Sequence, residues 1–393
     1  MDRDFNQIID RHNTNSLKYD FALQRGKSAD VLPMWVADMD FQAPTAVCSR
    51  LEDMSRFGIF GYSDNQTSYF DAVLNWYQKH FNWTAKKEWI LRTPGVVFAI
   101  AAAVRGLTEE GDAVLIQEPV YYPFSFIITQ NKRKKIINPL INNNGHYEID
   151  FEDFEEKAKT AKMFMLCNPH NPLGRVWTEE ELRKIGDICR KYNVLVVSDE
   201  IHFDLIMPGH KHTVYAALGE EYADNCVILN APSKTFSLAA LCLANAFIPN
   251  KELREKFDFE VNNSGAYTYS IFGIRALEVG YTECADWVDQ LNEHLYGNYQ
   301  YFKNFMKEKY PEVWVADLEG TYLVWFDCKC FGLDGKTLGE YLRNEASLYL
   351  DDGYIFGDIG DGFERINIAC TRQVLVDALD RFDKAMQKLK NNA

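Results

Sequence analysis

The chain has 393 residues, of which 47% are hydrophobic and 14% aromatic, and its formal net charge at pH 7 is −15. A chain of this length and apolar content can fill two or three domains with buried cores, which argues against an intrinsically disordered protein. The acidic balance argues against nucleic acid as a partner, because a protein that binds phosphate backbones needs a basic surface.

The nine cysteines have no disulfide-framework spacing, which indicates reduced thiols in a cytosol. The segment 1–13 is charged and lacks the apolar region of a secretory signal, and no window is apolar for long enough to cross a bilayer. His210 and His212 follow a Pro-Gly pair in a polar stretch, so we expect a solvated loop there rather than a metal site. The sequence therefore predicts a cytoplasmic protein with neither a membrane nor a metal ion as partner.

Short apolar runs alternate with helical patterns through the middle of the chain. A helix is predicted over 179–191, where Thr178 and Glu181 have the spacing of a capping box. The predicted strands are 113–117, 162–167, 194–198, 226–230 and 243–248. Such alternation indicates βαβ units and a mainly parallel central sheet flanked by helices.

The C-terminal third has a different pattern, with a long helix around 284–308, strands at 321–327 and 365–369, and a closing helix from about 371. This order is typical of a smaller α+β domain. The predicted fold is therefore α/β with a second domain. Its parts are an N-terminal segment (1–45) that packs partly on the small domain, a large cofactor-binding α/β domain (46–285) and a small C-terminal α+β domain (286–393).

Four polar clusters follow apolar segments at the same position relative to the predicted strands. These clusters occupy 118–123, 168–174, 198–202 and 231–234. One such cluster alone is usually a turn or a helix cap. Because ligands of parallel α/β sheets bind outside the carboxyl ends of the strands, four clusters together predict one shared crevice.

The four clusters, together with the segment 95–97, contain the groups that a pyridoxal-type cofactor requires. It needs an amine for its aldehyde, a carboxylate for its ring nitrogen, donors for its 3′ oxygen and phosphate, and an aromatic face. The candidates are Lys234, Asp199, Asn171 with His202, the helix start Gly95-Val96-Val97, and Tyr121.

Several motifs resemble known families. NPHNPLG (168–174), SDEIH (198–202), APSKTF (231–236) and FERINIA (363–369) resemble the fold-type-I pyridoxal-phosphate enzymes of the aspartate aminotransferase superfamily. MWVADMDFQAP (34–44), GYSDN (61–65), TPGVVFA (93–99), EPVYYPF (118–124) and EGTYLVWFD (319–327) resemble the cystathionine β-lyase, or β C–S lyase, branch. The resemblance spans nearly the whole chain and implies the fold of that superfamily.

The resemblance also implies roles for the residues around the cofactor ring. Lys234 is expected to bind the aldehyde as a Schiff base and then to move the substrate Cα proton. Asp199 is expected to pair with the ring nitrogen and keep it protonated. Asn171 and His202 would face the 3′ oxygen, and Tyr121 would stack on the ring.

For the phosphate, the resemblance implies backbone N–H groups of Val96 and Val97 at a helix N-terminus, with the hydroxyl of Ser233. Tyr62 matches a tyrosine that reaches the phosphate of the partner subunit, which implies a homodimer with active sites at the subunit interface. Many aminotransferases of the superfamily have glycine and arginine where this chain has Ala240 and Cys242. The missing arginine predicts only moderately tight retention of the cofactor.

On the substrate side, the resemblance implies that Arg365 binds the α-carboxylate, since a guanidinium fork matches carboxylate geometry. Tyr322 and Trp35 are candidates to line the pocket, and packing in the core is an equally open alternative for both. Together these features predict β-elimination on cystathionine or related S-substituted cysteines, giving a thiol, pyruvate and ammonia.

Two alternatives stay open at this point. An aminotransferase of aromatic or hydrophobic amino acids would share the first proton transfer, and no second arginine is seen that would favour dicarboxylates. A regulatory protein that binds a transcription activator through its surface would not need Lys234. The complete catalytic set argues against a purely regulatory role.

Overall fold

The structure is a computed structural model that describes residues 4–64 and 66–392, so Asn65 of the GYSDN motif lies outside the described residues. The strands are β1 (Leu32–Pro33), β2 (Ile90–Thr93), β3 (Ala113–Glu118), β4 (Lys134–Pro139), β5 (Ile141–Asn143), β6 (His146–Glu148), β7 (Ala161–Cys167), β8 (Leu195–Asp199), β9 (Cys226–Asn230), β10 (Ala244–Phe247), β11 (Trp314–Val315), β12 (Leu323–Asp327), β13 (Leu348–Tyr349), β14 (Asp351–Asp352) and β15 (Phe363–Asn367).

Helices pack on both faces of the large sheet and also against a second, smaller sheet. They are α1 (Thr45–Phe57), α2 (Thr67–Phe81), α3 (Val96–Leu107), α4 (Pro123–Gln130), α5 (Phe151–Ala158), α6 (Glu179–Lys191), α7 (Glu220–Ala223), α8 (Pro232–Thr235), α9 (Lys251–Asn263), α10 (Ile271–Glu283), α11 (Ala285–Lys309), α12 (Gly335–Glu345) and α13 (Arg372–Asn392). None of those described is both long and apolar enough to cross a bilayer.

The central sheet has seven strands in the order β2-β10-β9-β8-β7-β3-β4. β10 is antiparallel to both of its neighbours, and the remaining pairs are parallel. This confirms the predicted, mainly parallel sheet and all five predicted strands. β2 and β4 were not predicted, because these edge strands are short or begin with exposed lysines and lack a continuous apolar run.

The inner strands are apolar on both faces because the sheet separates two cores. On β7, Met163 and Met165 face a core shared with α3 and α9. Phe164 and Leu166 point the other way, into a core shared with α6 and α11. Side chains alternate along a strand, and each fully buried aliphatic or aromatic one contributes about 1.5–3 kcal/mol. The cores fix the sheet, so its strand ends form a rigid platform.

The start of α6 confirms the predicted capping box. The backbone N–H of Glu181 donates to the Thr178 hydroxyl at 3.2 Å, and the Thr178 N–H donates back to the Glu181 carboxylate at 2.8 Å. Glu181 also accepts from Arg175, which reaches Glu319 at 3.1 Å. The cap thereby ties the large sheet to the segment that leads into β12.

A second sheet, in the order β11-β12-β15-β14, is antiparallel and packs against α11 and α13. The predicted C-terminal strands correspond to β12 and β15, with β15 starting and ending two residues before its predicted bounds. β1 pairs in parallel with β13. The domain boundaries themselves stay a prediction.

The prediction of a solvated loop at His210 and His212 is wrong for His212, which is only 2% exposed. Its Nε2 lies 3.1 Å from the carboxylate of Glu200, which is itself fully buried directly after β8. A buried carboxylate needs hydrogen-bond partners, so the loop folds inward to supply one. All nine cysteines are free thiols.

Candidate active site

A cavity of about 340 Å³ opens at the carboxyl ends of β7, β8 and β9. It brings together most of the predicted site residues. Those on its wall are Trp35, Val96, Val97, Tyr121, Asn171, Asp199, His202, Ser233, Lys234 and Arg365. The four polar clusters therefore converge on one crevice, as their positions after the strands led us to expect.

Lys234 lies on the one-turn helix α8, four residues after β9 ends. Its Nζ donates to the carbonyl of Ala37 at 2.6 Å. Burial lowers the pKa of Lys234 to about 8. The charge of Arg365 acts in the same direction, and the carboxylates of Asp38 and Asp199 oppose the shift. A substantial fraction of this amine is thus neutral near physiological pH, as a nucleophile or base requires.

Asp199 is the last residue of β8 and is 3% exposed. The backbone N–H of Ile201 donates to its carboxylate at 3.2 Å. Burial raises the pKa of Asp199 to about 7, and the nearby positive charge of Lys234 acts against that rise. A cationic group on a ligand would favour the charged carboxylate, so this position suits a protonated ring nitrogen.

His202 is buried three residues beyond Asp199, and its Nδ1 has no hydrogen-bond partner. Burial, together with the charges of Lys234 and Arg365, lowers its pKa well below the ordinary value, so the imidazole is neutral. A buried polar atom without a partner is costly unless a ligand or water satisfies it. The imidazole therefore fits beside a polar ligand atom.

Arg365 lies on β15 and lines the cavity, and its guanidinium has hydrogen-bond partners on several other segments. Its Nη1 donates to the side-chain oxygen of Asn171 at 2.8 Å, and its Nη2 donates to the carbonyl of Trp35 at 2.9 Å. Nη2 also forms an ion pair with Asp351, whereas Nε is buried without a partner. Because the oxygen of Asn171 accepts from Arg365, its NH₂ group keeps its donors for a ligand oxygen.

The N-terminus of α3 borders the cavity at Val96 and Val97, directly after Gly95. The first N–H groups of a helix have no intrahelical acceptor and, with the helix dipole, favour an anion such as a phosphate. Val96 belongs to a core, whereas Val97 is 40% exposed. Ser233 contributes a hydroxyl-bearing side chain to the same cavity.

Two predicted residues do not line the cavity. Tyr322 is fully buried behind it, and its hydroxyl donates to the carbonyl of Ala37 at 2.8 Å. Of the two alternatives for Tyr322, the structure therefore has core packing, in a supporting position behind Ala37. Tyr62 is 98% exposed, so its expected contact with a partner subunit stays a prediction.

Other residues of the cavity were not found from the sequence. The carbonyl of Ala37 accepts hydrogen bonds from both Lys234 and Tyr322, but a backbone acceptor leaves no signature in the residue type. Asp351 lies on the wall beside Arg365, and an acidic residue in the mainly apolar stretch LYLDDGYIF was the signal that could have marked it. Cys242, which replaces the missing arginine, is exposed on the cavity wall.

The donor set fits a ligand that combines an aldehyde, a cationic ring nitrogen and an anionic group. Lys234 offers the amine, Asp199 the carboxylate, and the N-terminus of α3 the anion site. The unpartnered Nδ1 of His202 and the free amide donors of Asn171 would face polar atoms of such a ligand. The residues therefore fit pyridoxal phosphate.

The chain matches the family model for aminotransferase class I and II over residues 29–382. It is 38% identical to cystathionine beta-lyase PatB from Bacillus subtilis, covering 97% of this chain and 99% of that relative. Cystalysin from Treponema denticola, which contains a pyridoxal 5′-phosphate cofactor, superimposes with a TM-score of 0.96 and 38% identity over 99% of this chain and 100% of that chain. The pyridoxal-phosphate-bound C–S lyase from Staphylococcus hominis has a TM-score of 0.92 and 29% identity, and the match covers 98% of both chains. With its cavity built on the same fold, the chain belongs to the aminotransferase class I and II family.

Proposed function

We propose that this protein is a pyridoxal-phosphate-dependent lyase that cleaves the C–S bond of cystathionine or related S-substituted cysteines. With one water molecule, the reaction yields a thiol, pyruvate and ammonia. The observation that carries the proposal is the single cavity that presents the amine of Lys234, the carboxylate of Asp199 and the guanidinium of Arg365. It is supported by the 38% identity to a cystathionine beta-lyase over nearly the whole chain.

When bound, pyridoxal phosphate supplies an aldehyde carbon and an electron-withdrawing ring. In this proposal Lys234 holds the aldehyde, Asp199 holds the ring nitrogen, and Tyr121 covers one face of the ring. Asn171 and His202 hold the 3′ oxygen. The phosphate lies at the N-terminus of α3 with Ser233, where backbone donors and the helix dipole stabilise an anion.

The proton transfers fall to Lys234. Its Nζ would accept the proton from the substrate Cα, because a pKa of about 8 matches a base that works near neutral pH. The Cβ–S bond then breaks, and the sulfur leaves with the bonding electron pair. Arg365 holds the α-carboxylate and so fixes which bond at Cα points toward the amine.

We further propose that the protein works as a homodimer in the cytoplasm. Four large apolar side chains lie exposed within six residues of chain, which suits a surface that another protein covers. They are Phe57, Ile59, Phe60 and Tyr62, between 62% and 98% exposed. A second copy would cover them and would bring Tyr62 toward the partner's cavity. The nine free thiols are consistent with a reducing compartment.

The test measures cofactor and reaction in one sample. The purified protein is expected to show the absorbance of a lysine-bound pyridoxal group, and cystathionine should release pyruvate and thiol in equal amounts. Keto-acid exchange without thiol release would instead identify an aminotransferase. A protein without the absorbance band would contradict the cofactor assignment altogether. Light scattering of the same sample tests the dimer.

A further inference from the structure

We infer that Asp351 is a specificity-determining residue that excludes amino acids with an anionic side chain from this active site. The inference rests on the proposed function for the substrate class, but its physical basis is the charge arrangement in the cavity. Asp351 is a carboxylate beside Arg365, the guanidinium that is expected to bind the α-carboxylate of every substrate.

The pairing of two short strands fixes this placement. Asp351 on β14 lies directly opposite Arg365 on β15, and its carboxylate forms an ion pair with Nη2 of that arginine. Asp351 is only 6% exposed, and it lines the cavity. Side chains alternate along a strand, so the next residue, Asp352, points away and pairs with Arg343 at 2.7 Å.

The charges on the wall are few. Among the described residues that line the cavity, the ionisable side chains of lysine, arginine and acids are Lys234, Asp199, Arg365 and Asp351. The cofactor engages the first two, so the substrate meets one guanidinium and one carboxylate. The α-carboxylate takes the guanidinium, and no second one is available for a side-chain carboxylate.

The hydrogen bonds of Arg365 strengthen this effect. Its Nη2 serves the carbonyl of Trp35 and the carboxylate of Asp351, and its Nη1 serves Asn171. The α-carboxylate must therefore bind to Arg365 beside Asp351 rather than in its place. A second negative charge on the substrate would then be held near Asp351 inside a partly desolvated cavity. We expect this repulsion to lower binding by about tenfold.

The expected preference is for neutral or cationic side chains. Cystathionine ends in an ammonium and a carboxylate whose charges cancel, so its side chain has no net charge. The side chains of aspartate and glutamate carry a net negative charge, which Asp351 would repel. Burial raises the pKa of Asp351 to about 6, and the charge of Arg365 acts against that rise. At pH 8 the carboxylate is therefore ionised, so the assays belong at that pH.

The experiment uses the holoenzyme and three substrates that differ in side-chain charge: S-carboxymethyl-, S-ethyl- and S-(2-aminoethyl)-L-cysteine. We expect kcat/KM for the carboxymethyl compound to be about tenfold below that for the ethyl compound, mainly through KM. Asp351→Asn removes the charge but keeps an acceptor for Arg365. In this variant the ratio of kcat/KM between the ethyl and the carboxymethyl compounds should shrink about fivefold or more, and the higher kcat/KM expected for the aminoethyl compound in wild type should be lost.

The matched control is Asp352→Asn, which removes a buried, arginine-paired carboxylate from the same strand but on the opposite face. It should keep the wild-type ratios. Asp351→Glu, which retains the charge, should also keep the discrimination. A purely structural role of Asp351 would change kcat/KM for all three substrates alike, and equal ratios in wild type and Asp351→Asn would overturn the inference.

A binding measurement separates this inference from the proposed function. L-aspartate and L-asparagine have nearly the same shape, and their dissociation constants can be obtained from the absorbance change of the holoenzyme without any elimination. We expect asparagine to bind about tenfold more tightly to wild type and nearly equally to Asp351→Asn. If no thiol is released from any cysteine derivative but this ratio behaves as expected, the lyase proposal fails and the role of Asp351 stands.

Discussion

The cavity has two walls that are built in different ways. One wall consists of residues that directly follow parallel strands, such as Asn171 after β7, Asp199 at the end of β8 and Lys234 after β9. The other wall joins the N-terminal segment to the small sheet, where Arg365 donates to the carbonyl of Trp35 across 330 residues of chain.

The two walls also differ in what holds them. Strand ends packed between two cores fix the first wall, so its groups keep their geometry with few side-chain contacts. The second wall depends on hydrogen bonds between distant segments, and Asn367 alone donates to the carbonyls of Val36 and Asp38 at 2.6 and 2.7 Å. We therefore expect changes in the first wall to affect kcat and changes in the second to affect KM.

The largest effect is expected for Lys234→Ala. Loss of the amine removes both the attachment point of the cofactor and the base for the Cα proton, so turnover should fall on the order of 10³-fold or more. Pyruvate release measures the loss. Lys211→Ala, at an exposed lysine outside the cavity, is the control and should retain wild-type turnover. Comparable turnover in Lys234→Ala and Lys211→Ala would contradict the proposed role of Lys234 in the reaction.

Asp199→Asn should follow, with kcat lower on the order of 10²-fold, because an amide cannot stabilise a protonated ring nitrogen by charge. Asp204→Asn is a matched control at a carboxyl that is buried nearby but bonded to Trp76 and Thr235 instead of lining the cavity. Steady-state kinetics should show a much smaller change in kcat for this control. Similar losses in both would mean that burial, not contact with the cofactor, explains the effect.

On the second wall, Arg365→Lys should raise KM by roughly tenfold to 100-fold while kcat changes little, since an ammonium cannot reproduce the guanidinium fork. Initial rates over a range of substrate concentrations separate the two constants. Arg343→Lys alters the neighbouring pair with Asp352 and serves as the control. A fall in kcat alone would place Arg365 with the chemistry rather than with substrate binding.

A smaller effect is expected on stability. Burial raises the pKa of Asp204 to about 7, against hydrogen bonds from Thr235 and Trp76 that lower it. A raised carboxyl pKa favours folding at low pH, and this contribution is lost as pH rises toward 7. The stability of wild type relative to Asp204→Asn should therefore fall by about 2–3 kcal/mol between pH 5 and pH 8. Urea unfolding at both pH values measures it, and a constant difference would contradict the raised pKa.

The smallest effect is expected for Cys242→Arg, which restores the charge that many aminotransferases of the superfamily have near the phosphate. Cys242 is exposed and has a φ of +50°, a backbone conformation that residues other than glycine and asparagine rarely adopt. We expect cofactor affinity to rise only about twofold to fivefold, as for other exposed ion pairs. Equilibrium dialysis against the cofactor, with Cys330→Arg as control, checks this. If the cofactor affinity of Cys242→Arg does not rise, the missing arginine does not make cofactor binding weaker, and the prediction of only moderate retention fails.

Much of the fold and of the first wall could be predicted because the relevant signals are local. The apolar runs at β3, β7, β8, β9 and β10 indicate strands that are buried on both faces, and the polar residues after them mark the ligand side. The short or half-polar strands β2 and β4 escaped prediction. Their place at the sheet edges comes from pairing with neighbours and not from their own composition.

The sequence by itself determined the candidates for the chemistry: an amine, a carboxylate and a helix start, each of which lies close to the end of a strand that forms for local reasons. Only the tertiary structure decided that the carbonyl of Ala37 meets Lys234, that Tyr322 lies behind the wall, and that Asp351 stands beside Arg365. These contacts join segments far apart in the chain through backbone acceptors and a buried ion pair, and neither has a signature in residue type or spacing.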